Sequence, residues 1–246
     1  MLVLVGCEES QAVTIALRAL GHEAYSNDIL PCSGGHPEWH LQMDVFEAIK
    51  LKKWDMAIFF PDCTYLTVTA NKWLKDQPER KSGALVVELL RQARQKAIDF
   101  FIALYNCGIP KIAMENPIGC ISSVFKKPSQ IITPMQFGHP EPKKTCLWLQ
   151  GLPLLKPTHA DVEPEYHTTA SGKRLPKWYA YADKSKGQAE RAKIRSKTFK
   201  GIADAMALQW AGIIKCEHEY VTGLPEGSKC RKCGHLWGFQ KDPNDL

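Results

Sequence analysis

The chain has 246 residues, of which 44% are apolar, so it can bury a sizeable core. This length predicts one main domain with a small appendage. No uninterrupted apolar stretch approaches the roughly 20 residues of a membrane-spanning helix, and the first residues lack the basic region of a signal peptide. The composition argues against a membrane partner, and we expect a cytoplasmic protein.

Cysteine content and charge indicate the chemistry of the chain and the kind of partner it would bind. Nine cysteines in a cytoplasmic chain indicate reduced thiols, metal ligands or catalysis rather than a disulfide framework. The net charge of +6 is modest but uneven, because lysines and arginines crowd the segment between Gly172 and Lys200 against only Asp183 and Glu190. This cluster would attract a polyanion, although a solvated loop and helix face explains it equally well.

Strands and helices alternate in the first half of the chain. The pattern predicts strands at residues 2–5, 22–26, 41–43, 55–60 and 111–114, and helices at 11–20, 45–50 and 83–106. Gly21 and Gly108 follow two of these helices, where glycine typically ends a helix. Such alternation predicts an α/β fold, with a mostly parallel sheet and helices on both of its faces.

The pattern changes after Pro128. Two further strands are predicted near residues 131–132 and 146–149, and a helix at 199–214. The segment 151–195 between them is rich in proline, lysine and polar residues and has little periodicity. The tail from Cys216 is predicted to be a separate unit.

Polar residues stand at the ends of consecutive predicted strands: Glu8, Asp28, Asp44, Cys63 and Glu115. Ligands of parallel sheets bind outside the carboxyl ends of the strands. Each residue taken alone is more typical of a polar residue that ends a strand than of a functional site. Their occurrence in order on consecutive strands favours a site at one edge of the sheet. The turn at Gly6 is a weak cofactor signal, and we expect the amides of the following helix to be available to a carboxylate.

Cys63 is the candidate nucleophile. Free cysteines usually fill a core, and we interpret Cys107, Cys120 and Cys146 in this way. Cys63 instead follows a strand, where a nucleophile can be exposed and rigidly held. Neighbouring acids would raise its pKa, so a cationic partner or substrate binding must favour the thiolate. Glu115, if buried beside it, could share a proton with a heterocycle.

This order of elements resembles that of the cytosine-5 DNA methyltransferases, most closely their compact phage-type members, over about residues 1–150 and again near 190–213. Val5-Gly6-Cys7-Glu8 stands at the family's first cofactor turn, Asp28 at its ribose-binding acid and Asp44 at the acid near adenine. The resemblance implies a Rossmann-like methyltransferase sheet and S-adenosylmethionine as cofactor. The cofactor-binding residues it implies are Gly6, Cys7, Glu8, Asp28, Ile29, Asp44 and Pro61.

The same resemblance supplies a mechanism. Pro61-Asp62-Cys63 resembles the family's Pro-Pro-Cys loop, and Glu115-Asn116-Pro117 its Glu-Asn-Val. It implies that Cys63 attacks carbon 6 of a flipped cytosine while Glu115 bonds to ring nitrogen 3. Carbon 5 then takes a methyl group from the cofactor and loses its proton to a base. Asn116 and Lys143 complete the implied catalytic set.

Other stretches resemble the family less closely. Phe137-Gly138-His139-Pro140 and Lys143-Lys144-Thr145 are similar to its Gln-x-Arg-x-Arg strand entry, with Lys143, and less surely Thr145, in place of arginines. The helix start at residues 201–205 is similar to its closing Gly-Asn-Ala-Val segment. An acid replaces the second proline beside Cys63, and residues 151–195 are short for a sequence-reading domain.

The C-terminal segment predicts a zinc ribbon. Cys216-x-His218 precedes Cys230-x2-Cys233, and two such pairs joined by a hairpin can complete a tetrahedral Zn²⁺ site. His235 could replace His218, and four unrelated polar residues in a terminal tail are the alternative. A unit this small has almost no core, so Zn²⁺ would supply its folding energy.

These observations predict four parts of the chain and leave three hypotheses for its function. The predicted parts are a catalytic core (1–150), a basic DNA-recognition region (151–195), a closing helix (196–214) and the zinc ribbon (215–246). The leading function is DNA cytosine-5 methylation, in the cytoplasm of a bacterium or a phage-infected host cell. The alternatives are a catalytically inactive nucleic-acid-binding relative and an enzyme that modifies pyrimidine nucleotides with a related donor. The oligomeric state is left open.

Overall fold

The computed structural model describes residues 1–68, 71, 74, 87–159, 162–177 and 198–212. Its central strands are β1 (Leu2–Gly6), β2 (Glu23–Asp28), β3 (His40–Gln42), β4 (Met56–Phe59), β5 (Ile112–Pro117), β6 (Gln130–Ile132) and β7 (Thr145–Gln150). A separate hairpin contains β8 (Tyr166–Thr168) and β9 (Arg174–Pro176). The α-helices in this part of the chain are α1 (Ala12–Ala19), α2 (Val45–Leu51), α3 (Val87–Tyr105), α4 (Ile121–Val124) and α5 (Lys200–Met206).

The seven central strands form one sheet in the order β3-β2-β1-β4-β5-β7-β6. The first five strands in this order are parallel to their neighbours. Strand β7 runs antiparallel between β5 and β6. The chain is therefore a mixed α/β protein with a mostly parallel, Rossmann-like sheet.

Helices cover both faces of the sheet. Alternate residues of β1 point to opposite faces: Val3 and Val5 belong to a core that includes α1 and α5, whereas Leu4 belongs to a core that includes α2 and α3. On the α3 side the rings of Phe101 and Trp148 meet edge to face, with their centres 5.1 Å apart. The predicted doubly wound arrangement is confirmed.

Strand β5 is longer than the sequence predicted. We expected it to end at Met114 and to be followed by polar residues in a loop, but it continues to Pro117. The reason is the antiparallel partner β7, which pairs with β5 through Glu115↔Leu147 and Asn116↔Cys146. Glu115 and Asn116 are thus held inside a paired strand, with side chains on opposite faces of the sheet.

Two other predictions are modified. The helix predicted at 199–214 is α5 followed by a π-helical turn, Ala207–Ala211, and residues 213–214 lie outside the described residues. Residues 151–195 were expected to lack periodicity, yet their described part contains the β8–β9 hairpin. The predicted first residues of α3 and the whole zinc ribbon lie outside the described residues. No helix in the described part of the chain is long and apolar enough to cross a membrane.

Candidate active site

The carboxyl ends of β1, β2, β4 and β5 lie side by side, because these strands are parallel neighbours. Strand order reverses between β1 and β4, the position at which open α/β sheets bind ligands. Phe60 continues β4, its amide donating to the Gly6 carbonyl at 3.0 Å. The candidate residues lie along this edge in two groups. We call the group near β1, which is predicted to bind a cofactor, the cofactor side: Cys7, Asp28, Asp44 and Asp62. We call the group between β4 and β5 the chemical side: Cys63, Glu115 and Lys143.

Glu8 caps the N-terminus of α1. Its carboxylate accepts hydrogen bonds from the Val13 amide at 2.6 Å, from the Thr14 hydroxyl at 2.8 Å and from the Thr14 amide at 3.3 Å. Only 3% of Glu8 is exposed. The expectation that these amides are available to a cofactor carboxylate is wrong, because Glu8 itself occupies them. A part for Glu8 in cofactor binding stays a prediction.

Glu8 should make stability depend on pH. Burial raises its pKa from 4.5 to about 7, against the opposing hydrogen bonds of Val13 and Thr14. The folded chain therefore holds a proton that the unfolded chain releases first, and stability is lost as pH rises from 4.5 to about 7. In urea titrations at pH 5 and pH 8, the wild type should lose about 2–3 kcal/mol more than Glu8→Gln between the two pH values.

A matched control for this titration is Glu47→Gln, a change at an exposed acid of α2. It should keep the wild-type pH dependence. Equal losses of unfolding free energy in the wild type and Glu8→Gln would show that Glu8 is already ionised in the folded protein at pH 5.

The cofactor side brings together Cys7, Asp28, Asp44 and Asp62. Burial raises the pKa of Cys7 to about 12, and the three carboxylates add to this effect. Asp44 also caps α2, because its Oδ1 accepts from the Phe46 amide at 2.8 Å. Three carboxylates close enough to act on one thiol favour a cationic ligand.

Three further predicted cofactor residues flank this group. Ile29, next to Asp28, is 73% exposed, which is uncommon for an apolar side chain of its size and leaves it free for a ligand. At Gly6 an added Cβ would lie 2.5 Å from the Phe59 ring, so packing alone requires glycine there. Pro61 is buried, and its carbonyl accepts a hydrogen bond from Asn116 Nδ2 at 2.9 Å.

The loop that carries Cys63 is held against the loop after β5. The amides of Leu66 and Thr67 donate to the Cys63 carbonyl at 2.9 and 3.2 Å, and the Cys120 amide donates to the Leu66 carbonyl at 2.8 Å. At Gly119 an added Cβ would lie only 2.0 Å from the Leu66 oxygen, so the two loops approach as closely as glycine permits. The candidate nucleophile is therefore fixed relative to β5.

Glu115 and Lys143 form the chemical side with Cys63. Burial raises the pKa of Glu115, while the nearby Lys143 charge and a hydrogen bond from the Thr145 hydroxyl oppose the rise. Thr145 itself is 4% exposed. Asn116 is 1% exposed, and its Oδ1 has no hydrogen-bond partner among the described residues, a rare state for a buried oxygen.

A cleft of about 290 Å³, partly open to solvent, adjoins this group. Its lining combines the acid–lysine pair with apolar side chains from β4 and α5. The lining residues are Phe60, Glu115, Lys143, Thr145, Thr198, Phe199, Ile202 and Met206. Such a lining, mostly apolar with a few convergent polar groups, is typical of ligand-binding sites.

The Cys63 thiol is half-buried and is protonated at neutral pH. Burial raises its pKa to about 11, with further contributions from Glu115 and Asp62, and only the Lys143 charge and a backbone hydrogen bond act in the other direction. The sequence predicted that acids would raise this pKa and that a cation would be needed. Lys143 is that cation, although its effect is the smaller one.

Asp62 shapes the turn that presents Cys63. Its Oδ1 accepts from the Thr64 amide at 2.9 Å and from the Thr64 hydroxyl at 2.7 Å, the pattern of an Asx turn. The acid that departs from the family pattern therefore has a local structural role and also raises the pKa of Cys63.

Asp62→Asn should separate these two roles, because asparagine can form the same turn without the charge. We expect the Cys63 pKa to fall, so that iodoacetamide alkylates Cys63 faster than in the wild type at pH 8. Peptide mapping by mass spectrometry measures the rate at this cysteine. Asp99→Asn, an exposed change on α3, is the control, and an unchanged rate in Asp62→Asn would contradict the electrostatic role.

Some residues of the candidate site escaped the sequence analysis. Phe60 and the α5 residues Ile202 and Met206 line the cleft, although α5 follows β5 only after a long intervening segment. Arg94 of α3 contacts the Cys63 loop. Apolar spacing could have indicated only that these helices are amphipathic. Among the filler cysteines, Cys146 is buried as expected, whereas Cys107 and Cys120 are half-buried.

The zinc prediction falls on residues that the structure does not describe. Its four ligands, Cys216, His218, Cys230 and Cys233, and the alternative His235 all lie outside the described residues. Within the described ranges no group of three or more His, Cys, Asp or Glu residues could hold a metal ion. The ribbon stays a prediction.

Fold and site together define an α/β protein with a Rossmann-like sheet and a cysteine–glutamate–lysine group at the ends of β4, β5 and β7. No protein-family model matches the chain, and no curated protein matches it. One similar solved structure is described as a candidate DNA modification methyltransferase encoded within a prophage of E. coli. It has 12% identity and a TM-score of 0.39, over 65% of this chain and 52% of that one. This chain thus spans about half of that protein, and the fold assignment rests on the strand order alone.

Proposed function

We propose that the protein is an S-adenosylmethionine-dependent DNA cytosine-5 methyltransferase. The observation that carries this proposal is the meeting of Cys63, Glu115 and Lys143 beside a cleft, with the nucleophile loop fixed to β5. A thiol and a neighbouring carboxyl of raised pKa can act on the same ring: the thiol adds to a ring carbon, and the carboxyl protonates a ring nitrogen.

S-adenosylmethionine fits the residues of the cofactor side. The carboxylates of Asp28, Asp44 and Asp62 complement a positively charged sulfonium, and exposed Ile29 offers an apolar surface to an adenine ring. Bound there, the cofactor would supply an electrophilic methyl group. Gly6, Cys7 and Pro61 complete the proposed wall of the pocket, whereas the buried Glu8 carboxylate acts through α1.

The proposed chemistry uses the chemical side. The Cys63 thiolate adds to carbon 6 of a cytosine that has left the base stack, and protonated Glu115 donates to ring nitrogen 3. The electron pair released at carbon 5 would take the methyl group of a bound S-adenosylmethionine, whose sulfur–methyl bond breaks to leave the neutral thioether. A base then removes the carbon 5 proton, and expulsion of Cys63 restores the aromatic ring. Thr145 orients Glu115, and Lys143 favours the thiolate.

The β8–β9 hairpin supports DNA as the partner. Lys173 and Arg174 are exposed on it, and the Arg174 guanidinium lies 4.2 Å from the centre of the Tyr166 ring. An amide–carbonyl hydrogen bond of 2.9 Å between Glu165 and Pro140 ties the hairpin to the loop that carries Lys143. We propose that cationic side chains here contact phosphates, and that Cys216, His218, Cys230 and Cys233 bind Zn²⁺ in a terminal ribbon.

Transfer of a labelled methyl group tests this function. Purified protein is incubated with methyl-labelled S-adenosylmethionine and either duplex DNA, single-stranded DNA or dCMP, and the digested nucleosides are identified by mass spectrometry. We expect 5-methylcytosine from DNA. Labelled dCMP alone would favour the nucleotide-modifying alternative, and cofactor binding without any transfer would contradict the proposal.

A further inference from the structure

Arg94 links α3 to the loop that carries Cys63. Its Nε donates to the Tyr65 carbonyl at 2.8 Å, and its Nη2 donates to the Thr67 carbonyl at 3.4 Å. The same Nη2 donates to Asn71 Oδ1 at 2.7 Å. One planar guanidinium thus ties down two backbone carbonyls and one side chain that follow the candidate nucleophile by two to eight positions.

These contacts complete a clamp around the turn that begins at Cys63. On one side the Leu66 carbonyl accepts from the Cys120 amide, and Gly119 admits no closer approach. On the other side stands Arg94, half-buried on α3. The Cys63 carbonyl is itself bonded inside the turn, by the amides of Leu66 and Thr67. Movement of the turn would therefore move the Cys63 backbone.

We propose that Arg94 is a positioning residue that holds the Cys63 turn in the geometry required for attack on the base. The proposal rests on the proposed function, because it assigns to Arg94 an effect on the reaction of Cys63. Arg94 acts through the backbone of the turn and touches neither substrate nor cofactor. Arginine is suited to this task because its rigid fork can serve several acceptors together, whereas lysine offers one ammonium group.

The electrostatic environment separates this role from a direct charge effect on Cys63. The Arg94 charge lowers the pKa of Cys120, whereas the charged groups that act on Cys63 are Glu115, Asp62 and Lys143. Loss of the Arg94 charge should therefore have no direct effect on the pKa of Cys63, which can change only through lower burial of the thiol. It should displace the thiol, and a misplacement of about 1 Å can slow an enzyme reaction by about 100-fold.

The test compares Arg94→Ala and Arg94→Lys with the wild type. Lys96→Ala, an exposed change on the same helix, is the matched control. The first readout is the rate of covalent adduct formation with DNA that contains 5-fluorocytosine, in the presence of S-adenosylmethionine. The second is the pH profile of Cys63 alkylation by iodoacetamide, mapped by mass spectrometry. The third is the Kd of S-adenosylmethionine.

We expect adduct formation by Arg94→Ala to slow by about 10-fold to 100-fold, while Cys63 is alkylated faster at every pH because the turn opens. The midpoint of the alkylation profile should move to lower pH, because burial is the largest cause of the raised pKa of Cys63, and the cofactor Kd should not change. Arg94→Lys should fall between the wild type and Arg94→Ala, and Lys96→Ala should behave as the wild type does.

Several outcomes would overturn the proposal. An unchanged adduct rate in Arg94→Ala is one, and a parallel loss of cofactor affinity is another, because it would indicate general damage to the fold. A failure of the wild type to form any adduct would contradict the proposed function instead. In that case alkylation still decides whether Arg94 holds the turn: faster labelling of Cys63 in Arg94→Ala supports it, and equal labelling overturns it.

Discussion

Cys63→Ala is expected to abolish covalent capture of 5-fluorocytosine DNA and to lower methyl transfer by on the order of 10⁴-fold or more, since a covalent route has no substitute for its nucleophile. The thiol is half-buried next to Glu115, and its loop is fixed to β5. Alanine fits the same space and leaves the turn hydrogen bonds intact. Binding of S-adenosylmethionine, measured by calorimetry, should therefore be retained.

A matched control for this change is Cys107→Ala. Cys107 is also a half-buried free thiol, but it lies after α3 and away from the cleft. This variant should form the adduct at the wild-type rate. Retention of methyl transfer by Cys63→Ala would remove the proposed mechanism, and loss of activity in both variants would point to a general sensitivity of the core.

Local sequence patterns predicted the parallel half of the fold and the cysteine at its edge. Strands β1 and β4 are short apolar runs, and periodicity was sufficient for them. Strands β2 and β3 are more polar, and their places between the helices indicated them. The polar residue after each strand then located one edge of the sheet. Asp28, Asp44 and Cys63 were found in this way, because a strand end is a local feature of the chain.

The remaining features depend on contacts between distant segments. The extension of β5 through Glu115 requires β7, which begins 28 positions after strand β5 ends and runs in the opposite direction. Thr145 bonds to Glu115 only because this pairing exists. Arg94 reaches Tyr65 across 29 positions. The spacing of apolar residues along the sequence does not predict such long-range contacts, because each contact depends on how whole helices and strands pack.

The corrected role of Glu8 illustrates the same limit. A helix N-terminus behind a strand predicts an anion site, and we expected its amides to be available to a bound carboxylate. The structure assigns it to the Glu8 carboxylate, which the chain supplies from the preceding turn. Spacing alone does not distinguish an internal carboxylate from a bound one. It also left Asp62 unexplained, although an aspartate two residues before Thr64 is compatible with an Asx turn.

Glu115→Gln is expected to lower kcat for methyl transfer by about 10²–10⁴-fold, the range for loss of a general acid. Burial raises the pKa of Glu115, so the folded protein keeps a proton there at a higher pH than an exposed glutamate would. Glutamine can donate a hydrogen bond to ring nitrogen 3 but cannot transfer a proton to it. Adduct formation should slow with methyl transfer, and cofactor Kd should not change.

The pH dependence of the methyl-transfer rate should also differ between the wild type and Glu115→Gln. The active form needs Cys63 ionised and Glu115 protonated, so the wild-type rate should rise as the thiolate forms and fall as Glu115 loses its proton, with apparent pKa values that belong to the pair. In Glu115→Gln the falling limb should disappear. The remaining rise should follow the ionisation of Cys63 alone, without the contribution of Glu115 to its pKa.

Glu141→Gln is the matched control for the profile. Glu141 is another acid whose pKa is raised by burial, and it lies in the loop before Lys143 and outside the cleft lining. It should keep both limbs of the wild-type profile. A falling limb that persists in Glu115→Gln would assign the essential proton to another group. Loss of the bell-shaped profile in Glu141→Gln would instead assign the essential proton to the loop that carries Glu141, where Glu165 is the nearby acid.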